Sequence, residues 1–225
     1  MKRNTLLITG SEGFIGRNLA EYFEKRLDLL ILRPSLQDLD LTNSQDVDDF
    51  IKKYSPHSII HCATVIQANK EYEFGVLEKN LRMFFNLYRS KAKSTKLINL
   101  GSGSEYSRTH WKPHMPEDYF DSHVPEDSHS FSKYIMSTFV QQANEENIVH
   151  LRLFGVFGKY EDYRYKFISN TIAKNLLGMP ILINKNAIYD YLFVDDFSQI
   201  VEKIINSDVQ GVLFNVVPKN STDLL

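Results

Sequence analysis

Thr5-Leu6-Leu7-Ile8-Thr9-Gly10-Ser11-Glu12-Gly13-Phe14-Ile15-Gly16 is an apolar run that breaks on glycine and passes at once into an amphipathic stretch. Residues 5–9 read as a buried strand and residues 14–26 as a helix. A strand, a glycine loop and a helix in this order form a cradle for a dinucleotide pyrophosphate. Gly10 permits the tight turn, Gly13 lets the backbone approach the phosphates, and Gly16 allows helix to pack closely on strand. Ser11, Glu12, Phe14 and Ile15 complete the loop, and the helix start offers unpaired N–H groups and a positive dipole end. The spacing is G-x-x-G-x-x-G rather than G-x-G-x-x-G, so the position between strand and helix carries the reading, not the triplet itself.

Outward from this loop the pattern alternates. Strands are expected at residues 28–32, 58–61, 96–100 and 148–153, and helices at 44–54, 71–91 and 129–146. Apolar strands alternating with amphipathic helices imply a parallel sheet covered on both faces, a doubly wound α/β fold of Rossmann type. Beyond Phe154 the pattern loosens, with a helix at 166–177, a short strand at 181–183, a helix at 195–205 and a strand at 212–217. Asn220 or Ser221 would cap a further helix that has barely begun. Residues 1–158 read as the dinucleotide-binding domain. Residues 159–225 read as a small, truncated substrate-binding region interleaved with late elements of the main fold.

With 225 residues, 26 basic against 28 acidic side chains and a net charge of −2, the chain is an ordinary globular protein with room for a sizeable core. The balanced charge argues against nucleic acid or an anionic membrane as the main partner. The single cysteine, Cys62, forms no internal disulfide and fits a reducing compartment. Gly10 ends the N-terminal apolar run before it reaches signal-peptide length, and no stretch is long enough to span a bilayer, so a cytoplasmic protein is expected.

The turn after the second strand separates NAD from NADP, because an acid there binds the ribose 2′-hydroxyl whereas a base receives a 2′-phosphate. Here it reads Leu32-Arg33-Pro34-Ser35, without Asp or Glu, the nearest acids being Asp38 and Asp40. Arg33 is suited to hold a phosphate in a bidentate fork, with Ser35 as a second donor. NADP is the expected cofactor, NAD the alternative.

Taken together, these residues resemble the extended short-chain dehydrogenase/reductase family, NAD(P)-dependent epimerases, dehydratases and reductases of nucleotide-linked sugars. Thr9 to Gly16 is similar to that family's TGxxGxxG loop, and Asp40-Leu41-Thr42 to the segment lying near the adenine. His61-Cys62-Ala63 resembles its HxA strand end, making Cys62 and Ala63 cofactor-wall residues. Asn80 with Asn86-Leu87, the serine strand Leu100 to Tyr106, the pair Ser132-Lys133, Arg152 to Gly158, Asp190 to Asp196, and Phe214-Asn215-Val216 match further motifs in order. The Leu32-Arg33 turn is most similar to that of the GDP-fucose synthase branch.

The resemblance implies hydride transfer between a nicotinamide and a sugar carbon, with an acid/base moving the hydroxyl proton. Ser102, four residues before Tyr106, matches the serine that bonds the reacting oxygen. Lys133 matches the lysine that bonds the nicotinamide ribose and lowers the acid/base pKa. Four residues before Lys133, where the family has tyrosine, stands His129. Imidazole titrates near neutrality and is a competent acid/base. It also reaches less far than a phenol, so the opposite reading, a dinucleotide-binding pseudo-enzyme with a structural or regulatory role, stays open. Tyr134 faces elsewhere on the helix.

Other departures are Gly155, where the family has Asn, and Tyr189, where it has an Arg that holds the substrate diphosphate. Family members also run on by roughly a further third, which builds much of the sugar-nucleotide pocket. The histidines His110, His114 and His123 share a loop with several acids, but Pro113 breaks any helical ligand spacing, so a solvated lid is expected rather than a metal site. Tyr160, Tyr163, Tyr165 and Phe167 read as packing or lid residues. The helix at 71–91 carries more apolar surface than one face needs, and in the family its counterpart forms a four-helix dimer contact, so a homodimer is expected.

If Arg33 receives a 2′-phosphate, Arg33→Ala weakens NADP binding relative to NAD by about 1.5–3 kcal/mol in calorimetric titrations. Equal weakening of both would mark Arg33 as a surface residue.

Overall fold

The computed structural model describes residues 4–66, 75–112, 115–143, 145–183, 186, 188–209 and 211–221. The elements run β1 (Asn4–Thr9), α1 (Phe14–Phe23), β2 (Leu29–Leu32), α2 (Ser44–Tyr54), β3 (Ser58–His61), α3 (Val76–Ser90) and β4 (Lys96–Ser102). They continue with α4 (Ser128–Ala143), β5 (Ile148–Leu153), β6 (Gly155–Phe157), α5 (Phe167–Leu176), β7 (Tyr191–Phe193), α6 (Val194–Ile205) and β8 (Val212–Val216). One six-stranded sheet has the order β2-β1-β3-β4-β5-β8, every neighbouring pair parallel. The Rossmann-type, doubly wound architecture expected from the sequence is the observed one.

Period-two alternation explains the layers. Leu6 and Ile8 face a core that includes Leu19 and Phe23 of α1 and Phe197 and Val201 of α6. Leu7, between them, faces the opposite core with Val47 and Ile51 of α2, Phe84 and Leu87 of α3, and Met136 and Val140 of α4. A strand buried on both faces needs apolar residues at every position, and hence reads as a continuous run. The α2 helix starts where Asn43 accepts from the Gln45 and Asp46 amides (3.0 and 3.4 Å) and ends on Lys52 and Lys53 beside a left-handed Ser55.

Several boundaries shift from expectation for local reasons. The first helix stops at Phe23 rather than residue 26, because Arg26 turns to pair with Asp28 and with Glu202 of α6. The third begins at Val76 behind Gly75, whose φ is +80°, and residues 71–74 of the expected helix lie outside the described residues. Residues 181–183 form no strand: Gly178 turns the chain at φ +64°, Pro180 lacks an N–H, and Leu182 is 74% exposed with no ladder to join. The three-residue strands β6 and β7 instead pair in parallel as a separate ribbon, too short to leave a periodic signal. The proposed final helix falls in residues 222–225, outside the described residues. No helix among the described residues is long and apolar enough to cross a membrane.

Candidate functional site

The strand order reverses at β1, with β2 on one side and β3 on the other, so the chain opens a crevice at their C-terminal ends. Gly10 sits there with φ +64°, and a Cβ on it would meet the Ala63 Cα and N at 2.6 Å. A Cβ on Gly16 would stand 2.2 Å from the Gly10 carbonyl oxygen. Both glycines are therefore required by backbone contact. The Gly13 amide closes the turn onto the Gly10 oxygen (3.1 Å), and a Cβ there would approach only that oxygen, at 3.3 Å. No side chain caps α1, which leaves the N–H groups of its first turn available to an anion.

Ser11 is buried and Glu12 exposed beside a cleft of about 140 Å³, closed further by Ser35, Leu41, Ala63 and Met83. Leu41 is buried and its carbonyl accepts from Asn86 Nδ2 (2.9 Å), while Asp40 accepts from the Thr42 amide and hydroxyl (2.8 and 2.7 Å). At the rim Arg33 Nε lies 3.0 Å from Glu24. Ser35 donates its hydroxyl (2.7 Å) and amide (3.0 Å) to Asp38, and those two bonds hold the Asp38 carboxyl below its ordinary range. The two donors expected for a 2′-phosphate are thus each engaged by an acid.

At the same end of the sheet, α4 brings Lys133 in from above. Its ammonium is buried and donates to the Leu100 carbonyl (2.8 Å). Burial lowers its pKa to about 8, against the attraction of Glu105 and Cys62. One turn earlier, the half-buried His129 has Nε2 3.4 Å from the Thr64 hydroxyl. Burial, then the Lys133 charge, draw its pKa down to about 4 in spite of Asp127. Burial pushes the Cys62 thiol up to about 12, so it stays protonated at neutral pH. Asn80 of α3 locks the chain after β3 in place, accepting from the Val65 amide (2.8 Å) and donating to the Val65 carbonyl (3.0 Å) and Ser132 (3.2 Å). Ser132 in turn donates to the His129 carbonyl (2.6 Å).

Ser102 ends β4. Its hydroxyl accepts from the Ser104 amide (3.2 Å) and hydroxyl (2.9 Å), capping the 3₁₀ turn Gly103–Tyr106. Over it lies the segment expected as a solvated lid, with 3₁₀ turns at Arg108–His110 and Glu117–Tyr119. Trp111 Nε1 donates to the Gly103 carbonyl (3.1 Å), and the His110 and His123 rings stack at 3.7 Å. Pro113 and His114 lie outside the described residues, and no metal-holding cluster occurs among the described ones. Tyr189 stacks on Tyr191 (5.4 Å) and meets Trp111 edge-on (6.4 Å). Tyr134 bonds Asp121, away from His129.

Reading the sequence placed His61, Tyr106 and Arg152 in motifs but missed the two buried polar groups they belong to. His61 is fully buried, with Nδ1 2.9 Å from the Thr9 hydroxyl and Nε2 unpartnered among the described residues; burial lowers its pKa to about 3. The second comprises Asn99, Glu105, Tyr106, His150 and Arg152, all buried. The available signal was a polar side chain at alternate positions of otherwise apolar strands, Asn99 in β4 and His150 and Arg152 in β5.

Against known proteins, the model of the NAD dependent epimerase/dehydratase family matches residues 6–216. The chain is 26% identical to the GDP-L-fucose synthase of Azorhizobium caulinodans, over 91% of this chain and 72% of that protein. Among solved structures, a GDP-L-fucose synthetase from Naegleria fowleri superposes with a TM-score of 0.83 at 14% identity, covering 98% of this chain and 79% of that one. RMD from Pseudomonas aeruginosa complexed with NADPH gives 0.80 at 19% identity, covering 98% and 77%. Both likenesses establish the fold.

His61 and His129 give the protein a pH signature. Each is held neutral in the folded chain well below the ordinary 6.5, so only the unfolded chain takes up their protons as pH falls from about 6.5 toward 4. Stability must fall with pH across that window. In urea denaturation between pH 5 and 6.5, His129→Gln is expected to lower the slope of stability against pH by about one proton. An unchanged slope would mean that His129 titrates normally.

Proposed function

The chain belongs to the NAD dependent epimerase/dehydratase family, and from that premise we propose that it is a cytoplasmic NAD(P)-dependent oxidoreductase or epimerase acting on a nucleotide-linked sugar. The observation that carries this reading is the gathering of Ser102, His129 and Lys133 at the end of the sheet that holds the Gly10 turn. The residues fit a dinucleotide: Gly10, Gly13 and Gly16 leave no Cβ in the cradle, the first-turn amides of α1 have no side-chain cap, and Ser11, Leu41 and Ala63 wall the cleft. When bound, that cofactor supplies the hydride chemistry. Residues 159–225, apart from α6 and β8, form the substrate region in this reading.

His129 Nε2 takes the proton from the sugar hydroxyl, and the Ser102 hydroxyl, turning from Ser104, donates a hydrogen bond to the same oxygen. Lys133 binds the nicotinamide ribose, and its charge adds to burial, the larger cause, in keeping the imidazole neutral. With a pKa of about 4, only about one His129 in a thousand is protonated at pH 7. The site is thereby poised to accept a proton, which favours alcohol oxidation over carbonyl reduction at neutral pH. NADP is the preferred cofactor, supported by Arg33 and by the NADPH complex of the similar RMD. Binding then breaks the Arg33–Glu24 pair.

The second reading, a dinucleotide-binding pseudo-enzyme, is favoured by the Ser102 hydroxyl already serving as a cap. Single-turnover assays with NADP(H) and a panel of nucleotide sugars separate the two. A working His129 predicts turnover that is lost in His129→Ala, together with an oxidation rate that falls below pH about 4. Turnover confined to His129→Tyr would retire the native site and support the pseudo-enzyme.

The same reading takes the α3–α4 face as a homodimer contact. Phe85, Tyr88 and Phe139 form a half-buried aromatic cluster there, with ring centroids 4.8–5.0 Å apart around Phe139. Sedimentation equilibrium is expected to give a dimer that Phe139→Glu dissociates; a monomer at every concentration would remove the contact.

A further inference from the structure

Ser102 is held from behind as well as from its hydroxyl. Its backbone amide donates to Glu105 Oε1 (2.8 Å), and that oxygen also lies 3.0 Å from His150 Nε2. The other Glu105 oxygen accepts from Arg152 Nε (2.9 Å). Burial opposes the charge on Glu105, but His150, Arg152 and the Ser102 amide outweigh it and keep the carboxyl below its ordinary range. Only glycine fits at 101, where a Cβ would stand 2.1 Å from His150 Nε2 and 2.4 Å from Glu105 Oε1.

The chain of contacts does not end at the ion pair. Arg152 Nη1 donates to the Tyr106 hydroxyl (3.1 Å), and that hydroxyl donates to Asn215 Oδ1 (2.8 Å) on β8. The backbone amide of Asn215 donates to Glu117 Oε1 (2.8 Å), and its side chain to the Met115 carbonyl (3.5 Å), both in the segment above the site. The path Glu117–Asn215–Tyr106–Arg152–Glu105–Ser102 thus runs from an exposed carboxylate through the core to the backbone of the candidate reaction centre. Apolar residues of equal volume would stabilise such a core as well as an ion pair does. What they would not do is hold the amide of Ser102 and the amide of Asn215 in one connected arrangement.

We infer that Glu105, Arg152, Tyr106 and Asn215 are positioning residues that couple the segment at 115–120 to Ser102, so that seating Glu117 on Asn215 fixes the Ser102 backbone from which the hydroxyl projects. This deepens the proposed function and rests on Ser102 acting at the reacting oxygen. Closure of the segment over a substrate and alignment of Ser102 become one event.

A double-mutant cycle tests the coupling without requiring turnover. Glu117 is exposed, so Glu117→Ala leaves the core intact; Tyr106→Phe removes only the hydroxyl that joins Arg152 to Asn215. Amide exchange at Ser102, followed by NMR in the full chain, is expected to quicken about fivefold in Glu117→Ala, at least as much in Tyr106→Phe, and no further in the double variant. Exchange at Ser102 within about twofold of the parent in Glu117→Ala, or effects that simply multiply, would overturn the inference. In the catalytic arm, Glu117→Ala lowers kcat about fivefold with dinucleotide affinity held within about twofold. A raised KM with unchanged kcat would reduce Glu117 to a substrate contact and also overturn it. Absence of turnover in the unsubstituted protein would bear on the proposed function alone, leaving the exchange cycle to decide the coupling.

Discussion

The close passage of three backbone segments governs this molecule: Gly10 against Ala63, and Gly16 against Gly10, at distances that exclude a Cβ. That contact sets how far β1 and β3 stand apart at their ends, and where the first turn of α1 begins. It also aims the unpaired amides of α1 into the crevice where strand order reverses. A side chain at either glycine would push helix from sheet and close the phosphate cradle together. Fold and candidate cradle rest on the same steric fact.

A second constraint is electrostatic. Burying a charge is costly unless each of its hydrogen-bonding positions is filled. Glu105 meets this by drawing on the Ser102 amide, His150 and Arg152, and Arg152 by also engaging Tyr106 and Ser137. Among the described residues Lys133 has one hydrogen bond, to the Leu100 carbonyl, and burial lowers its pKa in spite of the attraction of Glu105 and Cys62. A buried ammonium with one such bond is suited to an oxygen-rich ligand, whereas both Glu105 oxygens already have donors.

The legible part of the sequence was whatever repeats. Thr5 to Gly16 disclosed β1, the turn and α1, and the amphipathic run at residues 44–54 coincides with α2, because periodicity and capping are local. Ser102, His129 and Lys133 were named on a different ground, the resemblance to the extended short-chain family, and they stand as candidates. Long-range pairing left no such trace. The engagement of Arg33 by Glu24, of Ser35 by Asp38, and the path from Glu117 to Ser102 each depend on which elements the fold brings together. The strand expected at 181–183 is apolar enough, but the Gly178 turn and Pro180 precede it and it pairs with no edge among the described residues.

Gly155 shows how such constraints bear on mutational history. A Cβ at this position would stand 2.4 Å from the Asp190 carbonyl oxygen, at the point where β6 pairs Gly155 with Tyr191 of β7. The asparagine of the resembled family's motif therefore does not fit on this backbone as it stands. The backbone at 190 must first withdraw, and Tyr189, stacked on Tyr191, would move with it. Residues 155 and 190 touch through backbone, so exchanging Gly155 for its family counterpart perturbs the 189–191 segment together with position 155.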